Sequence, residues 1–194
     1  MAALVVSDAP AALVVSDVPA SAPLARVVAE LLAAVDRPAA PGWVIHRVAP
    51  TRDALLVVAA FMAERGFPVA LPADLHAGLQ ASVMLAEVHF ARAAGARVAA
   101  CLCAHRDNFA GVSVACSSLI VYASNTASGG GLVHWAGDED PALSGRPGAL
   151  LPTAPPAGCM RAVLLPGDVW HAPEDLDGFG VRESFVFQCR TALD

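Results

Sequence analysis

Residues 24–36, LARVVAELLAAVD, carry apolar side chains at helical spacing and run into the Pro/Gly stop RPAAPG, so a helix is expected there. The segment WVIHRV at 43–48 reads as a short strand. Thr51 is placed to cap a second helix, TRDALLVVAAFMAERG, which Gly66 closes. A third helix is expected over roughly 72–94, PADLHAGLQASVMLAEVHFARAAG. It carries His76 and His89, which read as ordinary packing or surface histidines. After Gly95 the texture changes. RVAACLCAH (97–105), GVSVAC (111–116), SLIVYAS (118–124), GLVHWA (131–136), RAVLLP (161–166), VWHA (169–172) and RESFVFQC (182–189) are short β-type segments punctuated by Gly, Pro, Asn and Asp. One Pro-rich loop, 137–158, interrupts them as either a lid or an insertion.

Helices followed by short strands indicate an α+β fold, with N-terminal helices packed on a jelly-roll barrel. A direct repeat, AALVVSDAP at 2–10 and AALVVSDVP at 11–19, is too short and too few for a solenoid. With the Ser/Pro residues after it, residues 1–22 read as a poorly ordered leader or linker. Residues 23–95 then form a helical support region and 96–194 a jelly-roll core, one domain overall.

Composition narrows the function. With 56% apolar and 15% charged residues the chain suits a compact globule, and no uninterrupted apolar run reaches the roughly 18–20 residues a membrane span needs. The net charge is −6, and all 12 basic residues are Arg. Without lysine there is no P-loop lysine and no Schiff-base lysine, and any bound anion must be held by Arg, His, backbone amides or a metal. The acidic balance also argues against a broad nucleic-acid footprint, though not against a pocket for one base. Five cysteines, an odd number lying mostly in apolar segments, read as reduced thiols in an intracellular compartment.

Titratable residues collect at strand ends. In an extended chain residues i and i+2 point the same way, so His105 and Asp107 of HRD can present a nitrogen and an oxygen to one point. His171 stands near the end of a later strand. Two imidazoles and one carboxylate with open positions form the facial triad that suits ferrous iron in oxygenases. Arg182 and Ser184 share a face of the following strand and together suit a carboxylate, the Arg through a paired N–H fork and the Ser through its hydroxyl.

The ordered set H-x-D at 105–107, distal His171 and R-x-S at 182–184 resembles the Fe(II)- and 2-oxoglutarate-dependent dioxygenase superfamily, whose fold is the double-stranded β-helix. SGGGLVHW at 128–135 and GDVWH at 167–171 are similar to that family's glycine-initiated strand and to the strand leading into its distal His. The resemblance spans roughly residues 97–190. It implies that His105, Asp107 and His171 bind Fe(II), and that Arg182 and Ser184 hold the distal carboxylate of 2-oxoglutarate. Tyr122 would hydrogen-bond the cosubstrate, and Asn108 and His134 would line the substrate side. The substrate would be a small molecule or nucleobase, oxidised with release of succinate and carbon dioxide. Two alternatives stay open: a cupin-like metal protein, suggested by PGDVWH, and a non-catalytic jelly-roll binding domain in which Asp107 and Arg182 form a buried ion pair.

Overall fold

The computed structural model describes residues 4–6, 13–67, 69, 71, 73, 84–100, 102–107 and 114–192. His76, Cys101 and Asn108 lie outside them. The architecture is dominated by antiparallel strands. β1 (Leu4–Val6), β2 (Leu13–Pro19), β3 (Gly42–Arg47), β4 (Met84–Ala94), β5 (Val114–Asn125), β9 (Cys159–Pro166) and β12 (Phe179–Ala192) build a seven-stranded sheet in the order β1-β2-β9-β5-β12-β4-β3. A smaller sheet of order β10-β7-β8 comprises β7 (Leu132–Trp135), β8 (Ala149–Leu151) and β10 (Trp170–Pro173). β6 (Ser128–Gly129) and β11 (Leu176–Asp177) pair separately.

The two helices described in the N-terminal half form as their sequences dictate. α1 (Pro23–Ala33) starts on a proline and buries Leu24, Ala25, Val28 and Leu32 on one stripe. In α2 (Arg52–Ala63) the Thr51 hydroxyl accepts the Ala54 amide at 3.2 Å, and Leu55, Val58, Phe61 and Met62 are buried. Both stripes share one cluster with Val14, Val18, Met84, Val88, Phe90, Leu119, Val121, Leu164, Phe185 and Phe187. The large sheet therefore has a helix-covered face. Each fully buried Val, Leu or Met there is worth about 1.5–3 kcal/mol. On the opposite face Leu13, Ile120, Tyr122, Val163, Leu165 and Val186 pack against Leu132 of β7 and Leu151 of β8, so the two sheets enclose a second core. Period-2 alternation separates the two faces strand by strand.

Several expectations need correction. The third helix does not extend to residue 94: Met84–Ala94 is a strand, paired with β12 from Met84 through Ala94 and with β3 on its other side. Residues 74–83 lie outside the described set. Met84, Ala86, Val88 and Phe90 bury one edge-free face, and this tertiary burial overrides the helix preference of Met, Leu, Ala and Glu. Residues 13–19, taken as leader, are a strand of the main sheet, bonded to β9. The repeated LVV triplets pair with each other, Leu4 opposite Val15 and Val6 opposite Leu13. The described residues of 97–105 form no named strand; they touch the sheets through single bridges, Val98 to Leu176 and His105 to His171. The described part of segment 111–116, from residue 114, and segment 118–124 belong to one strand, β5, while residues 111–113 lie outside the described residues. The loop 137–158 contains α3 (Pro141–Ser144), capped by the Asp140 carboxylate, and β8. Among the described residues no helix is long and apolar enough to cross a membrane.

Candidate active site

His171 sits on β10, the strand that closes the smaller sheet. The segment bearing His105 docks on it through reciprocal backbone bonds, His105 N–H to His171 C=O at 3.0 Å and His171 N–H to His105 C=O at 2.9 Å. That bridge sets the two imidazoles side by side, with ring centroids 4.4 Å apart. Asp107, two residues on, turns its carboxylate between them: Nε2 of His105 lies 3.8 Å from Oδ1 and Nε2 of His171 lies 3.8 Å from Oδ2. One ligand atom from each of the three falls within 4.8 Å of the others. The chain thus brings together the three residues the H-x-D…H pattern singled out.

The surroundings fix which atoms face inward. Nδ1 of His105 meets the Cys103 carbonyl at 2.9 Å and Nδ1 of His171 the Val169 carbonyl at 3.0 Å. Each ring then donates from Nδ1 and leaves Nε2 as the lone-pair nitrogen toward the centre. Burial holds His171 below the ordinary imidazole range, with the nearby Asp107 charge opposing, so the neutral, ligating form is favoured. Asp107 is itself held from the large sheet: Gln188 Nε2 donates to Oδ1 at 2.6 Å and the Ser118 hydroxyl donates to Oδ2. Asp107 and His171 are each 4% exposed, whereas the His105 side chain keeps 31% of its surface and marks the open side. Two nitrogens, one oxygen and an open side form the donor set of a ferrous facial triad. His134 lies directly opposite His171 on β7, on the same face, with its imidazole also lowered by burial.

Arg182 and Ser184 project from β12 into the same interior, 3% and 0% exposed. Arg182 Nη2 donates to the Tyr122 hydroxyl at 3.1 Å. Tyr122, read as a cosubstrate contact, therefore engages the guanidinium; full burial keeps its phenol protonated. A bulge in β5 makes this grouping possible. Arg182 pairs with Asn125 but Ser184 with Tyr122, a register shift that brings Tyr122 and Asn125 to one face although they stand an odd three positions apart. Gly130 completes the approach in a left-handed conformation (φ 69°): a Cβ there would press to 3.3 Å on Asn125 Oδ1 and 3.4 Å on Arg182 Cδ.

Among the described residues no acid answers Arg182. Arg37, Arg97, Arg106 and Arg161 each meet a carboxylate at 2.5–3.1 Å. Among the described residues Arg182 has only Tyr122 and two aromatic rings, and its Nε and Nη1 are buried without a hydrogen-bond partner. The Ser184 hydroxyl is buried and unpartnered as well. Asp107 is engaged by Ser118 and Gln188 rather than by Arg182, against the ion pair of the non-catalytic alternative. A buried cation with two orphaned donors beside an orphaned hydroxyl fits a carboxylate ligand.

The sequence reading missed Ser118 and Gln188. Their signal was parity: Gln188 follows Arg182 and Ser184 on the inward face of β12, as Ser118 precedes Tyr122 on β5. His89, read as a packing or surface histidine, is buried opposite Ser184 and meets Glu87 at 3.0 Å, an interaction that lowers the Glu87 pKa.

No protein-family model matches the chain, and no curated protein does. Solved structures do. An oxidoreductase of the 2OG-Fe(II) oxygenase family from Burkholderia pseudomallei superposes with TM-score 0.54 at 13% identity, covering 90% of this chain and 84% of that one. AviO1 from Streptomyces viridochromogenes Tue57 gives 0.53 at 18%, covering 90% and 88%. A prolyl hydroxylase from Trichoplax adhaerens, in complex with a peptide fragment of a hypoxia inducible factor oxygen degradation domain, gives 0.52 at 10%, covering 91% and 82%. At these identities the likeness is one of fold, and it extends over nearly the whole chain.

Proposed function

We propose that this chain, which has the fold of the 2OG-Fe(II) oxygenases, is an Fe(II)- and 2-oxoglutarate-dependent dioxygenase. The observation that carries the reading is the buried Arg182, which meets no acid among the described residues and shares a sheet face with Gln188 and Ser118, the residues that hold Asp107 of the His105–Asp107–His171 cluster. A cupin-like metal protein would use the cluster but leaves the arginine unexplained. In such enzymes iron with dioxygen and 2-oxoglutarate supplies an oxidation that turns the keto acid into succinate and carbon dioxide while one oxygen atom enters a substrate C–H bond.

The chain's own residues have defined tasks on this reading. His105 and His171 offer Nε2 lone pairs and Asp107 offers a carboxylate oxygen. Gln188 and Ser118 hold that carboxylate in orientation. Arg182 and Ser184 grip the distal carboxylate of the keto acid, and Tyr122 steadies the guanidinium from its Nη2 side. The substrate, a small molecule or nucleobase on this proposal, enters past the part-exposed His105 and meets His134.

The test is anaerobic addition of 2-oxoglutarate to the Fe(II)-loaded protein. A visible charge-transfer absorption is expected, absent in His171→Ala; folded wild type without it overturns the proposal. Substrate is then sought by succinate release across nucleobases, amino acids, peptides and small acids.

A further inference from the structure

The interior face of the large sheet holds other polar groups, and nearly all have partners. Glu87 and His89 satisfy each other, Arg161 is bound to Asp17 and to the Pro152 carbonyl, and Asn125 Nδ2 donates to Gly129 and Thr153 while its Oδ1, an acceptor, stays unpartnered. One donor remains beside Arg182. The indole N–H of Trp43 is buried and has no acceptor.

Its position follows from register. β3 pairs Trp43 with Ala91, and β4 pairs Ala91 with Arg182, so the three side chains stand in one row on one face. Ala91 between them is small, and the indole packs over it together with Ala93 and Leu176. The ring centroid reaches 4.9 Å from the guanidinium carbon, as the Tyr122 ring does. An indole N–H left without an acceptor inside a protein is unfavourable, and no described side chain or carbonyl relieves it here.

We propose that Trp43 is a further binding residue of this anion site, donating its indole N–H to the distal carboxylate of the dicarboxylic keto acid alongside Arg182 and Ser184; this rests on the cosubstrate reading above. The count of groups supports it. An ionised carboxylate offers about four acceptor positions on its two oxygens. The orphaned donors in this row and the next are four: Nε and Nη1 of Arg182, Oγ of Ser184 and Nε1 of Trp43. A monocarboxylic keto acid would reach the metal end and leave all of them unanswered, so the indole favours a dicarboxylic acid.

The experiment titrates Zn(II)-loaded protein calorimetrically with 2-oxoglutarate and with pyruvate, which lacks the distal carboxylate. Trp43→Phe keeps an aromatic ring against Arg182 and removes only the donor. It is expected to weaken 2-oxoglutarate binding about tenfold, as loss of one hydrogen bond to a charged group does, and to leave pyruvate unchanged. Equal 2-oxoglutarate affinity in variant and wild type overturns the inference, and so does an equal loss for both acids. If Arg182→Met loses 2-oxoglutarate while Trp43→Phe does not, only the role of Trp43 fails. If the wild type binds neither acid, the cosubstrate reading fails first. In the wild type itself one indole N–H resonance is expected to move on adding 2-oxoglutarate and not on adding pyruvate; a motionless set overturns the inference even if the variant does not fold.

Discussion

Replacing Arg182 by methionine sets stability against binding. Methionine follows the aliphatic stem of arginine but carries neither charge nor donors. In the wild type the guanidinium is 3% exposed with Nε and Nη1 unpartnered, and a buried charge without a counter-ion costs about 3–5 kcal/mol. Against that, the variant loses the hydrogen bond to Tyr122, about 1–3 kcal/mol, and the two ring contacts at 4.9 Å, about 2 kcal/mol together. The two sides nearly offset, so for a chain of this size the melting temperature in the absence of ligand is expected to shift by no more than about 2–4 °C. Adding 2-oxoglutarate to the metal-loaded proteins at 100 times the wild-type Kd stabilises the wild type by about 2.7 kcal/mol and the variant much less, so the two melts separate. Thermal melts of both proteins with and without the acid read this directly. If the ligand-free variant melts several degrees below the wild type, Arg182 is a structural residue with a partner of its own, and the anion site is refuted.

Two further outcomes follow from the same geometry. Gln188→Ala and Ser118→Ala each leave one oxygen of Asp107 without its donor, and removing such an outer support is expected to weaken metal affinity about 10–100-fold, measured by Zn(II) or Co(II) titration; unchanged affinity would show that Asp107 needs no support. His171 and His134 are both held below the ordinary imidazole range by burial. As pH falls through that range the unfolded chain takes up protons that the folded chain refuses, so the metal-free protein loses stability. Its melting temperature is expected to fall between about pH 7 and pH 5, and less steeply in His171→Gln; parallel curves would contradict the burial effect.

How much of this was legible in the sequence depends on whether a signal was local. α1 and α2 were, because a proline start, a Thr cap and a helical stripe lie within one segment. β4 was not: Met84, Leu85, Ala86 and Glu87 are strong helix formers, and only burial between β12 and β3 makes them a strand. Likewise Ser117 looked like a break between two segments, yet β5 runs through it, paired at that residue with Cys189 of β12 and Pro166 of β9. The site residues divide on the same line. H-x-D and R-x-S stand out because strand alternation puts each pair on one face, and because an apolar sheet has no use for charge there. Gln188 and Ser118 carry the same parity but belong to residue types common in any strand.

The decisive feature, an arginine without an acid, cannot be read from any segment. The chain has 18 acidic residues, and nothing in their order says that none of the described ones reaches Arg182. That follows from which strands adjoin β12. β4 contributes Ala91 at that row, β3 contributes Trp43, and β5 contributes Asn125 after its bulge; none is a carboxylate. The nearest inward acid on β4, Glu87, is two rows away and already bound to His89. A sheet whose register slipped by two residues would bring Glu87 into the row of Ser184, next to the row of Arg182, and could close an ion pair across the site. The register of β4 on β12 is therefore as much a determinant of the proposed anion site as the arginine itself, because it keeps the Glu87 carboxylate two rows from Arg182.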